Sequence, residues 1–216
     1  MKNFTEGLYQ FYEFGAFRSI GATVDIWATN STLVLKEVRL EVSYFDLESE
    51  WRERYTQHVE LKPNQTTEIL STPCPEPPLP QGEYDVPDDI LATRTHSVVI
   101  SARLVDTLTG DIVSRSCDWP QPYKYIDFPD PELKITRLGK SEEGKGEDNG
   151  DRFHLSVLKP AKGVVLSVEG EENARFSDNG LDLVPGDNQE VSVTSLNGRK
   201  LFVTYMGKRG YSEVPT

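Results

Sequence analysis

The sequence predicts an all-β protein built as two tandem sandwich domains, and three observations carry that expectation. Short runs of period-two alternation recur along most of the 216 residues, the signature of half-buried strands. Turn residues break these runs at intervals of roughly 8 to 12 residues, as in sandwich folds. No stretch of ten or more residues repeats at 3.6, so very little helix is expected.

The elements follow in order. Residues 1–16 contain Phe4, Tyr9, Phe11, Tyr12 and Phe14 interrupted by Glu6 and Glu13, and are read as an irregular segment without a signal-peptide apolar run. From Phe17 the chain alternates, with Ile20, Ala22, Val24 and Ile26 on one face and Gly21, Thr23, Asp25 and Trp27 on the other. Thr29-Asn30-Ser31-Thr32 is expected to turn. A second strand is expected from Val34 to Leu47, with Val38, Leu40, Val42 and Tyr44 facing inward. Tyr55 to Leu61 and Thr66 to Leu70 continue the meander around a turn at Lys62-Pro63-Asn64. Six of the 14 prolines fall between Pro73 and Pro87; lacking N–H donors, they predict an exposed loop there. Strands resume at Ser97 to Asp106 and Ile112 to Cys117, joined by Thr109-Gly110-Asp111.

The first domain is therefore placed at 17–120. Four prolines between Trp119 and Pro131 stiffen a linker at 121–132. Six further short strands are expected in a second domain at 133–208: Leu133 to Leu138, Phe153 to Leu158, Val164 to Val168, Leu181 to Val184, Val191 to Leu196 and Leu201 to Tyr205. Residues 209–216 are read as a tail. The acidic, glycine-rich tract Ser141 to Asp151 offers nothing to bury and is expected to be a mobile hairpin loop.

A net charge of -12 repels phosphate, so neither nucleic acid nor an anionic lipid surface is an expected partner. No run approaches the roughly 18 apolar residues of a membrane span, and the chain is expected to be soluble and cytoplasmic. Cys74 and Cys117 lack the spacing and histidine partners of a zinc site, so no metal is expected and both are read as thiols. Glycosidic hydrolysis needs two carboxylates about 5 to 10 Å apart, one of them held protonated. With 35 acidic residues, pairs exist by number alone. Most fall on the polar side of strands, as Glu37, Glu41 and Glu190 do, or in turns, as Asp46, Asp111 and Asp187 do. His58, His96 and His154 are isolated, no nucleophile elbow is present, and no phosphate-binding glycine loop precedes a helix. No catalytic residue, metal or cofactor is assigned. Tryptophans on a sandwich either stack on sugars or fill cores and interfaces. Trp27 and Trp119 are given the second role. Trp51, amid Glu48, Glu50, Arg52 and Glu53, is expected to be exposed and is the candidate for carbohydrate binding.

Two stretches resemble a known family. Phe176-Ser177-Asp178-Asn179-Gly180-Leu181-Asp182-Leu183-Val184-Pro185-Gly186-Asp187 is similar to a segment of the last immunoglobulin-like domain of glycoside hydrolase family 2 β-mannosidases. Ile26-Trp27-Ala28-Thr29-Asn30-Ser31-Thr32, with Val42-Ser43-Tyr44-Phe45-Asp46-Leu47, resembles the domain that follows the catalytic barrel in fungal members. Trp119-Pro120-Gln121-Pro122-Tyr123-Lys124-Tyr125 fits their junction, and Asn197-Gly198-Arg199-Lys200 with the strand after it fits the C-terminal end. The resemblance implies two tandem immunoglobulin-like β-sandwich domains. It also implies non-catalytic accessory modules of an enzyme that hydrolyses terminal β-D-mannose, with the catalytic (α/β)8 barrel as partner and mannose-containing oligosaccharide as a further one. Nothing in the chain matches the family's catalytic glutamates. Exo-β-glucosaminidases share the domain plan, and a stand-alone carbohydrate-binding or protein-interaction module is the alternative of another class. An apolar face left bare by the missing barrel is expected to cause self-association.

Overall fold

Alternation along β1 (Thr23–Asn30) is complete: every second residue from Val24 to Asn30 is buried and the residues between are half-exposed. The computed structural model describes residues 23–78, 97–120, 122–140, 150–170 and 173–215. The N-terminal segment, the start expected at Phe17, most of the proline-rich loop, His96 and the acidic tract up to residue 149 lie outside the described residues. The chain is all-β and divides into two units between Ile126 and Asp127.

In the first unit β1 pairs antiparallel with β4 (Gln65–Pro73). A second sheet runs β3-β2-β5-β6, comprising β3 (Arg52–Leu61), β2 (Lys36–Asp46), β5 (Val98–Asp106) and β6 (Ile112–Asp118). Leu40, Val42 and Tyr44 lie opposite Leu104, Ala102 and Ile100. That row meets Val24, Ile26, Ala28 and Ile69 in one buried cluster, so the two sheets face each other across a shared core, as in a sandwich. Pro73 closes β4 at its last position, where a missing N–H donor is tolerated.

The second unit follows a single turn of 3-10 helix at Tyr123–Tyr125. One sheet is ordered β11-β8-β7, from β11 (Gln189–Val193), β8 (Asp151–Ser156) and β7 (Lys134–Lys140). The other is ordered β10-β9-β12-β13, from β10 (Leu181–Leu183), β9 (Ala161–Val168), β12 (Leu201–Thr204) and β13 (Ser212–Val214). Phe153, Leu155, Val191 and Val193 from the first sheet share a core with Leu166, Leu183, Leu201 and Val203 from the second. A bulge at Lys162 and Gly163, with Gly163 at φ +60, lets both Ala161 and Val164 point inward.

Several expectations are corrected. Thr29 and Asn30 belong to β1 rather than to a turn, and β2 begins at Lys36, leaving Leu33, Val34 and Leu35 in the connecting loop. Residues 212–214, read as tail, form β13 against β12 with Val214 buried. Asp151, read as the end of a mobile acidic loop, opens β8 and is buried against Arg137, whose Nε donates to its Oδ1 at 3.1 Å.

Candidate functional site

Several of the described carboxylates are held by hydrogen bonds within the fold. On the outer face of β2, Glu41 accepts from Arg39 Nε and Arg103 Nε, both at 2.7 Å. Burial acts to raise its pKa, but the two arginines outweigh it and hold the carboxyl below the usual range. Asp46 was expected in an open turn and is buried instead at the end of β2. Burial again acts upward and is outweighed by hydrogen bonds from Ser49, Ser97 and the backbone at Ser49 and Glu48, so its pKa is lowered. Asp106 is lowered by the N–H groups of Leu108 and Thr109, which donate to its Oδ1 at 2.9 and 3.2 Å. Asp187 is also buried, whereas Asp111 is exposed. Among the described residues, every carboxylate with a resolved shift thus moves toward the ionised form, the opposite of what a general acid for glycoside cleavage requires.

The tryptophans take three different environments. Trp119 is buried to 1% exposure. Trp51 departs from expectation: it is half-buried and packs against the first core. Glu50, at φ +59, turns the chain back and the Asp46 N–H donates to the Trp51 carbonyl at 2.9 Å, beside the core that the indole packs against. Trp27 lies on the outer side of β1, its Nε1 donating to Glu68 Oε2 at 3.2 Å. Polar pairs flank it, with Ser71 donating to Asp25 and the hydroxyls of Thr29 and Thr66 2.9 Å apart.

The second unit has an open depression of about 330 Å³ bordered by Asp130, Glu132, Tyr205, Lys208 and Ser212 over Leu133 and Val214. Its aromatic ring is engaged: Lys208 Nζ sits 5.0 Å from the Tyr205 centroid. Burial first, then the charge of Asp130 and a hydrogen bond to it, raise the Tyr205 pKa. Cys74 is buried and Cys117 half-buried, and they form no disulfide. Among the described residues no three His, Cys, Asp or Glu side chains gather as metal ligands, and no helix is long and apolar enough to cross a membrane.

One feature escaped the sequence reading. At the β1–β2 end of the first unit, Leu33, Val34 and Leu35 are 83%, 58% and 47% exposed, and Leu108 at the β5–β6 turn is 90% exposed. The loop carrying the first three is held by buried Asn30. Its Nδ2 donates to the carbonyls of Val34 and Leu61, both at 2.9 Å, and its Oδ1 accepts from the Thr32 N–H at 3.0 Å and the Thr32 hydroxyl at 2.7 Å. Three consecutive aliphatic residues after a turn were the available signal, and the expectation that Val34 opened a strand obscured it.

Residues 22–125 match the model of the mannosidase Ig/CBM-like domain, and residues 128–204 match that of the mannosidase Ig-fold domain. The chain is a tandem of mannosidase-type Ig-like domains. Its relatives include β-mannosidase B of Aspergillus niger, 30% identical over 188 residues that make up 85% of this chain, and β-mannosidase B of Emericella nidulans, 38% identical over 122 residues or 55% of this chain. The tandem spans only 19% and 13% of those two proteins. Among solved structures, a β-D-mannosidase of Dictyoglomus thermophilum aligns at TM-score 0.62 and 13% identity, covering 85% of the tandem and 20% of that chain. An exo-chitosanase of Amycolatopsis orientalis aligns at 0.57 and 15%, covering 98% and 26%. These likenesses support the fold, with both modules resembling a minor part of much larger molecules.

Proposed function

We propose that the tandem is a non-catalytic accessory part of a fungal-type family 2 β-mannosidase, supporting a catalytic barrel that hydrolyses terminal β-D-mannose. The observation that carries this reading is the ordered pair of mannosidase domain matches in a chain whose β-mannosidase B relative is about five times as long. The chemistry agrees with it. The resolved carboxylate shifts favour ionised, hydrogen-bonded anchors, and the packing of Trp51 against the first core favours a structural part for it over sugar stacking. A cytoplasmic location belongs to the same proposal.

The test uses A. niger β-mannosidase B with its matching fifth either deleted or replaced by this chain. The accessory reading expects the deletion to lose activity on a nitrophenyl β-mannoside and the replacement to restore it. A replacement no more active than the deletion contradicts the reading. Restoration in an exo-β-glucosaminidase lacking its corresponding domains, and not in the mannosidase, would reassign the tandem to that parent.

A further inference from the structure

The exposed aliphatic residues of the first module converge on one end because of strand register. Asn30 closes β1, Lys36 opens β2 opposite Leu61, and Asp106 ends β5 opposite Val38. The Thr107 N–H and hydroxyl both donate to the Glu37 carbonyl, at 3.2 and 3.0 Å. The Leu108 turn is thereby fastened beside the start of β2, two residues beyond Leu35. Meanwhile Thr23, Pro73, Val98 and Asp118 meet at the opposite end, as their pairings with one another and with Asp46 and Ile100 require.

Both loops at this end are fixed in advance. Asn30 holds residues 32–34 through three hydrogen bonds and ties itself to the Leu61 carbonyl with a fourth, and Asp106 holds Leu108 and Thr109. Asn64 adds an N–H donated to the Thr32 carbonyl at 3.1 Å. Ordering costs at an interface are reduced when the binding conformation already exists. Four exposed aliphatic side chains gathered at one end amount to a patch on the order of a few hundred Å². Two such patches pressed together fall short of the roughly 1,200 Å² buried in a stable interface. A recess in a larger body can instead enclose both loops and bury surface around them.

We propose that Leu33, Val34, Leu35 and Leu108 form the tip by which the tandem docks into an apolar recess of the catalytic part of a longer β-mannosidase. This rests on the accessory reading above, since the relatives hold four-fifths of their length outside the matched region. The tip is a packing surface and touches no substrate.

The experiment introduces Leu33→Asp together with Leu108→Asp into the replacement enzyme and into the isolated 216-residue chain. Leu138→Asp, at a half-exposed aliphatic residue of the second module, serves as the control. Docking through the tip predicts at least a fivefold shorter half-life of activity at a fixed elevated temperature for the double variant. It predicts no change for the control and an unchanged melting profile for the isolated double variant. Equal half-lives for double variant and parent overturn the tip while leaving the accessory reading intact. Failure of the unmutated replacement enzyme overturns both. If the isolated chain melts earlier when mutated, the tip serves the module's own fold and the proposal fails. Sedimentation of the isolated chain tests the other occupant: a dimer abolished by the double substitution would assign the tip to a second copy and overturn docking on the enzyme.

Discussion

The side-chain amide of Asn179 replaces a strand for Leu166: the Leu166 N–H donates to Asn179 Oδ1 at 2.8 Å, and Asn179 Nδ2 donates to the Leu166 carbonyl at 2.9 Å. The Ser-Asp-Asn-Gly segment thus continues the edge that β10 begins against β9. Beside it, Asp182 Oδ1 accepts from the Gly163 N–H at 2.8 Å and steadies the bulge. Removing the amide strands two backbone groups of a central residue, at a cost of roughly 1 to 3 kcal/mol for each group left unsatisfied. Asn179→Ala is expected to destabilise the second module by about 2 kcal/mol. Asn179→Asp keeps the acceptor but sets a carboxylate against the Leu166 carbonyl, and is expected to be no better. All three tryptophans of the chain lie in the first unit. Chemical denaturation followed by tryptophan fluorescence should therefore leave the midpoint unchanged in these variants, while far-ultraviolet circular dichroism detects the loss.

Asn30 gives the converse case. Its buried amide satisfies the carbonyls of Val34 and Leu61 while accepting from Thr32. Asn30→Ala is expected to destabilise the first module by about 2 kcal/mol, again because buried polar groups lose their partners. Here the tryptophan-monitored midpoint falls. An unchanged midpoint would mean that the loop holds its shape without the amide.

Ionisation sets a stability window for the first module. Glu41 and Asp46 have lowered folded pKa values, so the unfolded chain takes up their protons first as pH falls through the ordinary carboxylate range, about 4. Their stabilisation is complete above that range and is lost as pH drops through the folded values. On the alkaline side, burial first, then the charges of Glu76 and Glu53, push the Cys74 thiol up from 9.0 to about 12. Burial chiefly raises the buried Tyr44 well above 10.0. Both contributions are complete below the unfolded values and decline as pH rises from about 9 toward the folded values. The tryptophan-monitored melting temperature should be flat near neutrality and fall on both sides. Glu41→Gln should flatten the acid limb and Cys74→Ala the alkaline limb; limbs unaltered by these substitutions would contradict the assignment.

The two sheets of each sandwich were legible because burial follows period two almost without exception in β1, in β2 up to Tyr44, and in β8. The Asp178-Asn179-Gly180 turn was legible from residue types that tolerate left-handed backbone, with Gly180 at φ +74. What escaped depends on tertiary partners. In β13 only Val214 of three residues is buried, too little alternation to mark a strand, and pairing with β12 creates it. Charged neighbours suggested that Trp51 faced water, yet a left-handed Glu50 decides its direction. Asp46 and Asp151 were read as solvated by composition and are buried with local donors. The aliphatic tip was hidden because Leu33-Val34-Leu35 reads as a strand opening until the Asn30 amide binds the Val34 carbonyl.

The proposal that the tandem supports hydrolysis without performing it is tested most directly by assaying the isolated 216-residue protein on a nitrophenyl β-D-mannoside across roughly pH 4 to 8, the range in which carboxylate pairs operate. No nitrophenol release above the buffer rate is predicted. Saturable turnover abolished by a single Glu or Asp substitution would contradict the account.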